Sequence, residues 1–204
     1  MKSRDFSNWD NVSLAPSRHG GDWTVADYKA IDFNTEEGWQ KAIDIFEDRI
    51  RSRFLDVIAE IEDMPNSGFA VMALDCLLIE TLEQTYKGAP KTPNGEGVQY
   101  FVDFFTRTCF RDNFDGTKAR KFRDCFRNGI LHQAEVKGSS RIRTDSNLPL
   151  VQLSPDGNGL IINRRKFHRK LVCVFEDFID TLRNPASKGE RDNLRKKMNA
   201  ICHC

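Results

Sequence analysis

The chain has 204 residues, 39% of them apolar, and a formal net charge of +1. That length allows one domain with a sizeable core, and the near-neutral balance excludes a uniformly basic nucleic-acid coat. No apolar run reaches membrane-spanning length, and the start, Met1-Lys2-Ser3-Arg4-Asp5, lacks the apolar stretch of a secretory signal, so a cytoplasmic protein with no membrane partner is expected.

In chain order, residues 1–33 are polar and aperiodic, broken by Pro16 and Gly20-Gly21, with Trp9 and Trp23 as isolated anchors. They read as an irregular extension that docks through those tryptophans. From about 35 to 62, Trp39, Ile43, Phe46, Ile50, Phe54, Val57 and Ile61 recur at three-four spacing, which predicts a long amphipathic helix capped by Asn34 or Thr35. After the Pro65-Asn66-Ser67-Gly68 turn, a second helix from about 69 to 86 is apolar nearly all round, as a central helix is. Glu80 lies in its most apolar stretch. It either faces outward on a polar strip with Thr81 and Glu83, or is a placed, hydrogen-bonded carboxylate.

Residues 87–97 read as a mobile loop. A third helix follows from about 98 to 108, and a fourth starts near Thr117. Beyond Lys137-Gly138-Ser139-Ser140 the period changes, and residues 148–162 read as a β-hairpin. Asn163 caps a further helix to about Leu182, closed by Asn184-Pro185, and a short tail helix carries Leu194, Met198 and Ile201. The expected fold is mainly α: a bundle of four to five helices at 34–184 with a small hairpin insertion, flanked by the extension at 1–33 and a tail at 185–204.

The fourth helix carries the chemistry. On a wheel of about 100° per residue with Arg127 at zero, Asn128 falls near 100° and His132 near 140°, on a polar arc opposite Phe122, Phe126 and Ile130. Metal-free RNA cleavage by the 2′-hydroxyl needs a group of near-neutral pKa to move protons, which suits histidine. It also needs a cation matched to phosphate oxygens, which suits arginine. Asn128 would orient the imidazole or the phosphate. Leu131 is an apolar residue on the polar arc, which suggests contact with another protein surface. By spacing alone, a surface arginine near a surface histidine is the commoner explanation.

Phe126-Arg127-Asn128-Gly129-Ile130-Leu131-His132-Gln133 resembles the signature of the HEPN superfamily: an Arg, a polar residue, and a His four to six places after the Arg. The resemblance covers about residues 35–133. It implies a helical bundle and a metal-independent endoribonuclease that needs no cofactor and cuts single-stranded or looped RNA as a homodimer formed through the motif helix. Arg127 and His132 would be the catalytic pair, Asn128 their polar neighbour and Glu80 an accessory residue. Many members are toxins or antiphage effectors, for which an antitoxin or regulatory partner is expected, while others have lost the pair and only bind or scaffold. The alternatives are therefore a non-catalytic RNA- or protein-binding module, and an RNA-binding regulator working through the basic C-terminal helix.

Residues 1–63 hold 8 basic and 14 acidic residues, and the remainder 23 and 16, which allows a basic surface on the later part. Lys121, Arg165 and Arg169 are the candidate RNA contacts, with His168 beside them; solvated helix faces explain the same counts. The six cysteines show no disulfide spacing, and Cys76, Cys109, Cys125 and Cys173 read as small core residues. Cys202-His203-Cys204 are adjacent rather than spaced to wrap a tetrahedral ion, so no metal site is assigned.

Overall fold

A computed structural model describes residues 9–204. The fold is mainly α. Helix α1 is Val25–Lys29 and α2 is Glu36–Ile50; a π-turn at Arg51–Leu55 leads directly into α3, Asp56–Ile61. Next come α4 (Gly68–Tyr86), α5 (Gly97–Arg107) and α6 (Gly116–Phe122). A second π-turn, Arg123–Asn128, joins α6 to α7, Gly129–Gln133. The last helices are α8 (Arg164–Arg183) and α9 (Lys188–Cys202). Thr35 caps α2 and Asn163 caps α8, each hydroxyl or amide oxygen accepting from the backbone three residues on.

The strands are β1 (Ser13–Pro16), β2 (Asp22–Thr24), β3 (Arg141–Arg143), β4 (Val151–Leu153) and β5 (Leu160–Asn163). β4 and β5 form the expected antiparallel hairpin, and β3 adds to it parallel to β5. No alternation marks β3, because Arg-Ile-Arg is too short to show a period.

Residues 13–29 differ from the irregular extension expected of them. β1 and β2 pair as an antiparallel hairpin, and Thr24 closes a reciprocal capping box with Asp27 at the start of α1. The unit is held against α2 by Asp48, which accepts from Trp23 Nε1 at 2.8 Å and Arg18 Nε at 2.6 Å. Trp9 Nε1 donates to the Cys202 carbonyl, and Tyr28 donates to Asn199 at 2.9 Å. The expected tail helix is α9, which buries Leu194, Met198 and Cys202 and packs the partly buried Ile201 against the core. Burial pushes the Cys202 thiol up to about 12, and His203 packs edge-on to Trp9.

Buried phenylalanines fix the seat of the motif helix. Phe105 and Phe114 stack at 4.1 Å, Phe122 stacks on Phe126 at 5.2 Å and on Phe167 of α8 at 5.1 Å. Phe105 of α5 also meets Phe122 and Phe167 edge-on, and aromatic pairs add about 0.5–1.5 kcal/mol each beyond their buried area, so α5, α6 and α8 are held together around the segment that carries Phe126 and Arg127.

Candidate active site

Glu80 and the motif meet where α4 faces the second π-turn and α7. Glu80 Oε2 accepts from Arg127 Nε at 3.3 Å and from Nη2 at 3.1 Å. Arg127 Nη1 lies 3.3 Å from Asn128 Oδ1 and 3.3 Å from His132 Nε2. All four candidate residues thus form one contact set centred on the guanidinium. Of the two settings expected for Glu80 the second holds, since its side chain is 16% exposed and hydrogen-bonded, while that of Arg127 is 22% exposed. His132 is exposed.

A guanidinium only donates, so His132 Nε2 takes the acceptor role in its contact with Arg127, the role that it has in the Nδ1–H tautomer. The basic nitrogen therefore faces the arginine. Nη1 contacts two neutral polar atoms at 3.3 Å, whereas the edge toward Glu80 is a charged pair with two contacts, at 3.1 and 3.3 Å. Nη1 is the end of the guanidinium that an incoming anion displaces most easily.

Backbone geometry explains why the histidine sits on a helix end. Ala134, at φ 55°, is left-handed and stops α7 two residues after His132. The chain then folds back. Glu135 N donates to Gly129 O, and Lys137 N donates to Cys125 O at 3.0 Å, supplying a donor to a carbonyl of the π-turn. Gly129 is required here, because a Cβ would stand 2.4 Å from Glu135 O.

A π-turn bonds i to i+5, so each residue advances by less than in an α-helix. Arg127 and Asn128 belong to this wider turn and His132 to the α-turn after it. The uniform wheel expected of the sequence does not describe the face. Leu131 also differs from expectation: it is half-buried. The exposed leucine near the site is Leu77 of α4, 39% exposed and nearly one turn before Glu80.

The candidate RNA contacts are dispersed. Lys121 Nζ donates to Gly157 O in the β4–β5 loop, at 3.0 Å. Arg165 pairs with Asp63 at 2.6 Å, just before α4 begins, and Arg169 is exposed one turn further along α8. From the start of α4 to Glu80 is about 18 Å at 1.5 Å per residue, so Arg165 lies at the far end of α4 from the motif. His168 is not on a basic surface edge. It is buried, with Nδ1 2.8 Å from Asp75 Oδ1, and burial raises the Asp75 carboxyl above its ordinary value against the pull of that bond.

Sequence reasoning missed Thr92. Residues 87–97, expected to be a mobile loop, are tied down: Thr92 Oγ1 donates to Glu80 Oε1 at 3.0 Å, and Lys197 Nζ of α9 donates to Pro90 O at 2.8 Å. A threonine between two prolines carries no periodic signal that would reveal this. Among the described residues, no helix is long and apolar enough to cross a membrane. Comparison with protein-family models, curated proteins and solved structures finds no match.

Proposed function

We propose that this chain is a metal-independent endoribonuclease of the HEPN type, acting on single-stranded or looped RNA. The observation that carries the reading is that Glu80, brought from α4, meets Asn128 and His132 of the motif segment on the guanidinium of Arg127. α2 with α3, α4, α5, α6 with α7, and α8 are read as the four-to-five-helix bundle of that superfamily.

In this mechanism an RNA phosphate takes the Nη1 end of Arg127 while Glu80 holds the other edge. His132 Nε2 removes the proton of the 2′-hydroxyl, whose oxygen attacks phosphorus. The guanidinium stabilises the charge of the phosphorane. The bond from phosphorus to the 5′-oxygen breaks, a proton is delivered to that oxygen, and a 2′,3′-cyclic phosphate and a 5′-hydroxyl result.

One histidine per chain stands at the motif, and the reaction needs both a base and an acid. A two-fold homodimer supplies the second as His132 of another copy, because an isologous contact brings the same face together twice. Exposed Leu77 beside Glu80 supports an interface on this face. A toxin or antiphage role, with a neutralising partner covering the same surface, fits such an enzyme.

The test is cleavage of a defined RNA in the presence of a chelator, with analysis of the ends formed. Cyclic phosphate or 3′-phosphate ends are expected. Strict dependence on a divalent ion, or cutting of DNA, defeats the mechanism. RNA binding without cleavage makes the chain a binding module instead.

A further inference from the structure

We propose that Thr92 and Lys197 are positioning residues, the two ends of a directed hydrogen-bond chain that sets the orientation of Glu80 and, through it, of Arg127; the inference rests on the reading of that pair as part of a ribonuclease site. The chain starts in α9. Lys197 Nζ donates to Gln84 Oε1 at 2.6 Å and to Pro90 O at 2.8 Å. Gln84 Nε2 donates to Thr92 Oγ1 at 2.9 Å, and Thr92 Oγ1 donates to Glu80 Oε1 at 3.0 Å.

The direction of every bond is forced. An ammonium has no acceptor, so the Gln84 side chain must turn its oxygen toward Lys197 and its NH₂ toward Thr92. That N–H fills the acceptor side of the Thr92 hydroxyl, and the hydroxyl proton is sent to Glu80. With Oε1 held by Thr92, Oε2 is the oxygen left for Arg127, and it takes both Nε and Nη2. Nη1 is then the nitrogen left to face Asn128 and His132. Removing the hydroxyl frees the carboxylate to rotate and to take the guanidinium by either oxygen.

Lys197 is only 6% exposed, and burial pulls its ammonium below the ordinary lysine value. A buried ammonium is retained only with acceptors around it, here one from the loop and one from α4. A loop fastening alone needs only the bond to Pro90 O. Gln84 and Thr92 continue the chain beyond the fastening, toward the site.

The experiment uses the full chain as wild type, Thr92→Val, Thr92→Ser and Lys197→Met. It measures kcat and KM on an RNA oligonucleotide, the NMR signals of Arg127 Nε–H and the His132 imidazole, and thermal melting. Thr92→Val keeps the volume and the Lys197–Pro90 bond. It is expected to lower kcat about tenfold, as loss of one hydrogen bond to a charged group does, to leave KM within about twofold, and to move the Arg127 signal. Thr92→Ser restores all three. A wild-type kcat with an unmoved Arg127 signal in Thr92→Val overturns the proposal, as does equal impairment of the valine and serine variants. Lys197→Met is expected to reproduce the Thr92→Val spectrum at the site; a folded Lys197→Met with a wild-type spectrum removes Lys197 from the chain of positioning. If the wild type cuts no RNA, the ribonuclease reading fails by itself, and the NMR arm still decides whether Thr92 sets Arg127.

Discussion

Glu80 and Arg127 stand 47 positions apart, and a single carboxylate oxygen, Glu80 Oε2, holds two nitrogens of the Arg127 guanidinium. This pair divides the guanidinium into an edge held by Glu80 and an end, Nη1, that faces Asn128 and His132. Glu80→Gln keeps the shape and removes the charge. A drop of about a hundredfold in kcat is expected, the scale of a misplaced reacting group. Arg127→Ala and His132→Ala should each lose about a hundred- to ten-thousandfold while melting near the wild-type temperature, because neither side chain is in the core. Single-turnover cleavage with parallel melting curves checks this. A variant that unfolds marks its residue as structural.

Gly129 and Ala134 make opposite predictions about the same turn. Gly129→Ala places a methyl against Glu135 O, so a loss of about 1–3 kcal/mol and weaker cleavage are expected. Ala134→Gly relieves a left-handed alanine and is expected to stabilise by up to about 1 kcal/mol. Urea unfolding of both variants decides, and a stabilised Gly129→Ala contradicts the account of the turn.

Phe122 stacks on Phe126 and Phe167 at the base of the motif helix. Phe122→Ala is expected to cost about 3–5 kcal/mol, more than any substitution of the polar site residues. Chemical denaturation ranks them.

The Arg191 guanidinium, helped by Gln40, lowers the Glu36 carboxyl to about 2, from an ordinary 4.5. A carboxylate depressed on folding adds stability at pH values above its unfolded pKa and loses it as pH falls through the folded one. The contribution is therefore complete above about 4.5 and fades between there and about 2. Glu36→Gln should flatten the acid limb of the urea-midpoint profile in that window and do nothing to its shape near neutrality. An unchanged acid limb removes the pair from the acid response.

Leu77→Asp puts a charge on the exposed face beside Glu80. A shared cleft predicts a wild-type dimer in sedimentation, a monomeric variant, and cleavage lost with dimerisation. Full activity from a species that sediments as a monomer defeats the shared cleft.

What the sequence disclosed follows from the reach of each signal. The three-four spacing of Ile43, Phe46 and Ile50, the all-round apolarity near Leu78 and Leu82, and the caps Thr35 and Asn163 are local patterns, and they predicted the helices to within a residue or two. Glu80 was legible as a charge in an apolar stretch. Its partner was not, because a contact over such a separation leaves no local trace. The β1–β2 hairpin was missed because strands of three or four residues are too short to alternate visibly. The π-turn at Arg123–Asn128 was missed because one extra residue per turn has no composition of its own. The loop around Thr92 was read as mobile from Pro and Gly alone, and its fastening comes from Lys197, a residue of another helix.

The bond from Lys137 N to Cys125 O closes a short segment that carries Arg127, Asn128 and His132 together. Short closures cost little chain entropy and form within about 100 ns, whereas a contact between residues 80 and 127 waits for the helices to dock. On these rates the segment that carries the three motif residues closes before the contact between Glu80 and Arg127 forms. A chain whose bundle has not yet closed holds Arg127, Asn128 and His132 without the carboxylate that orients the guanidinium.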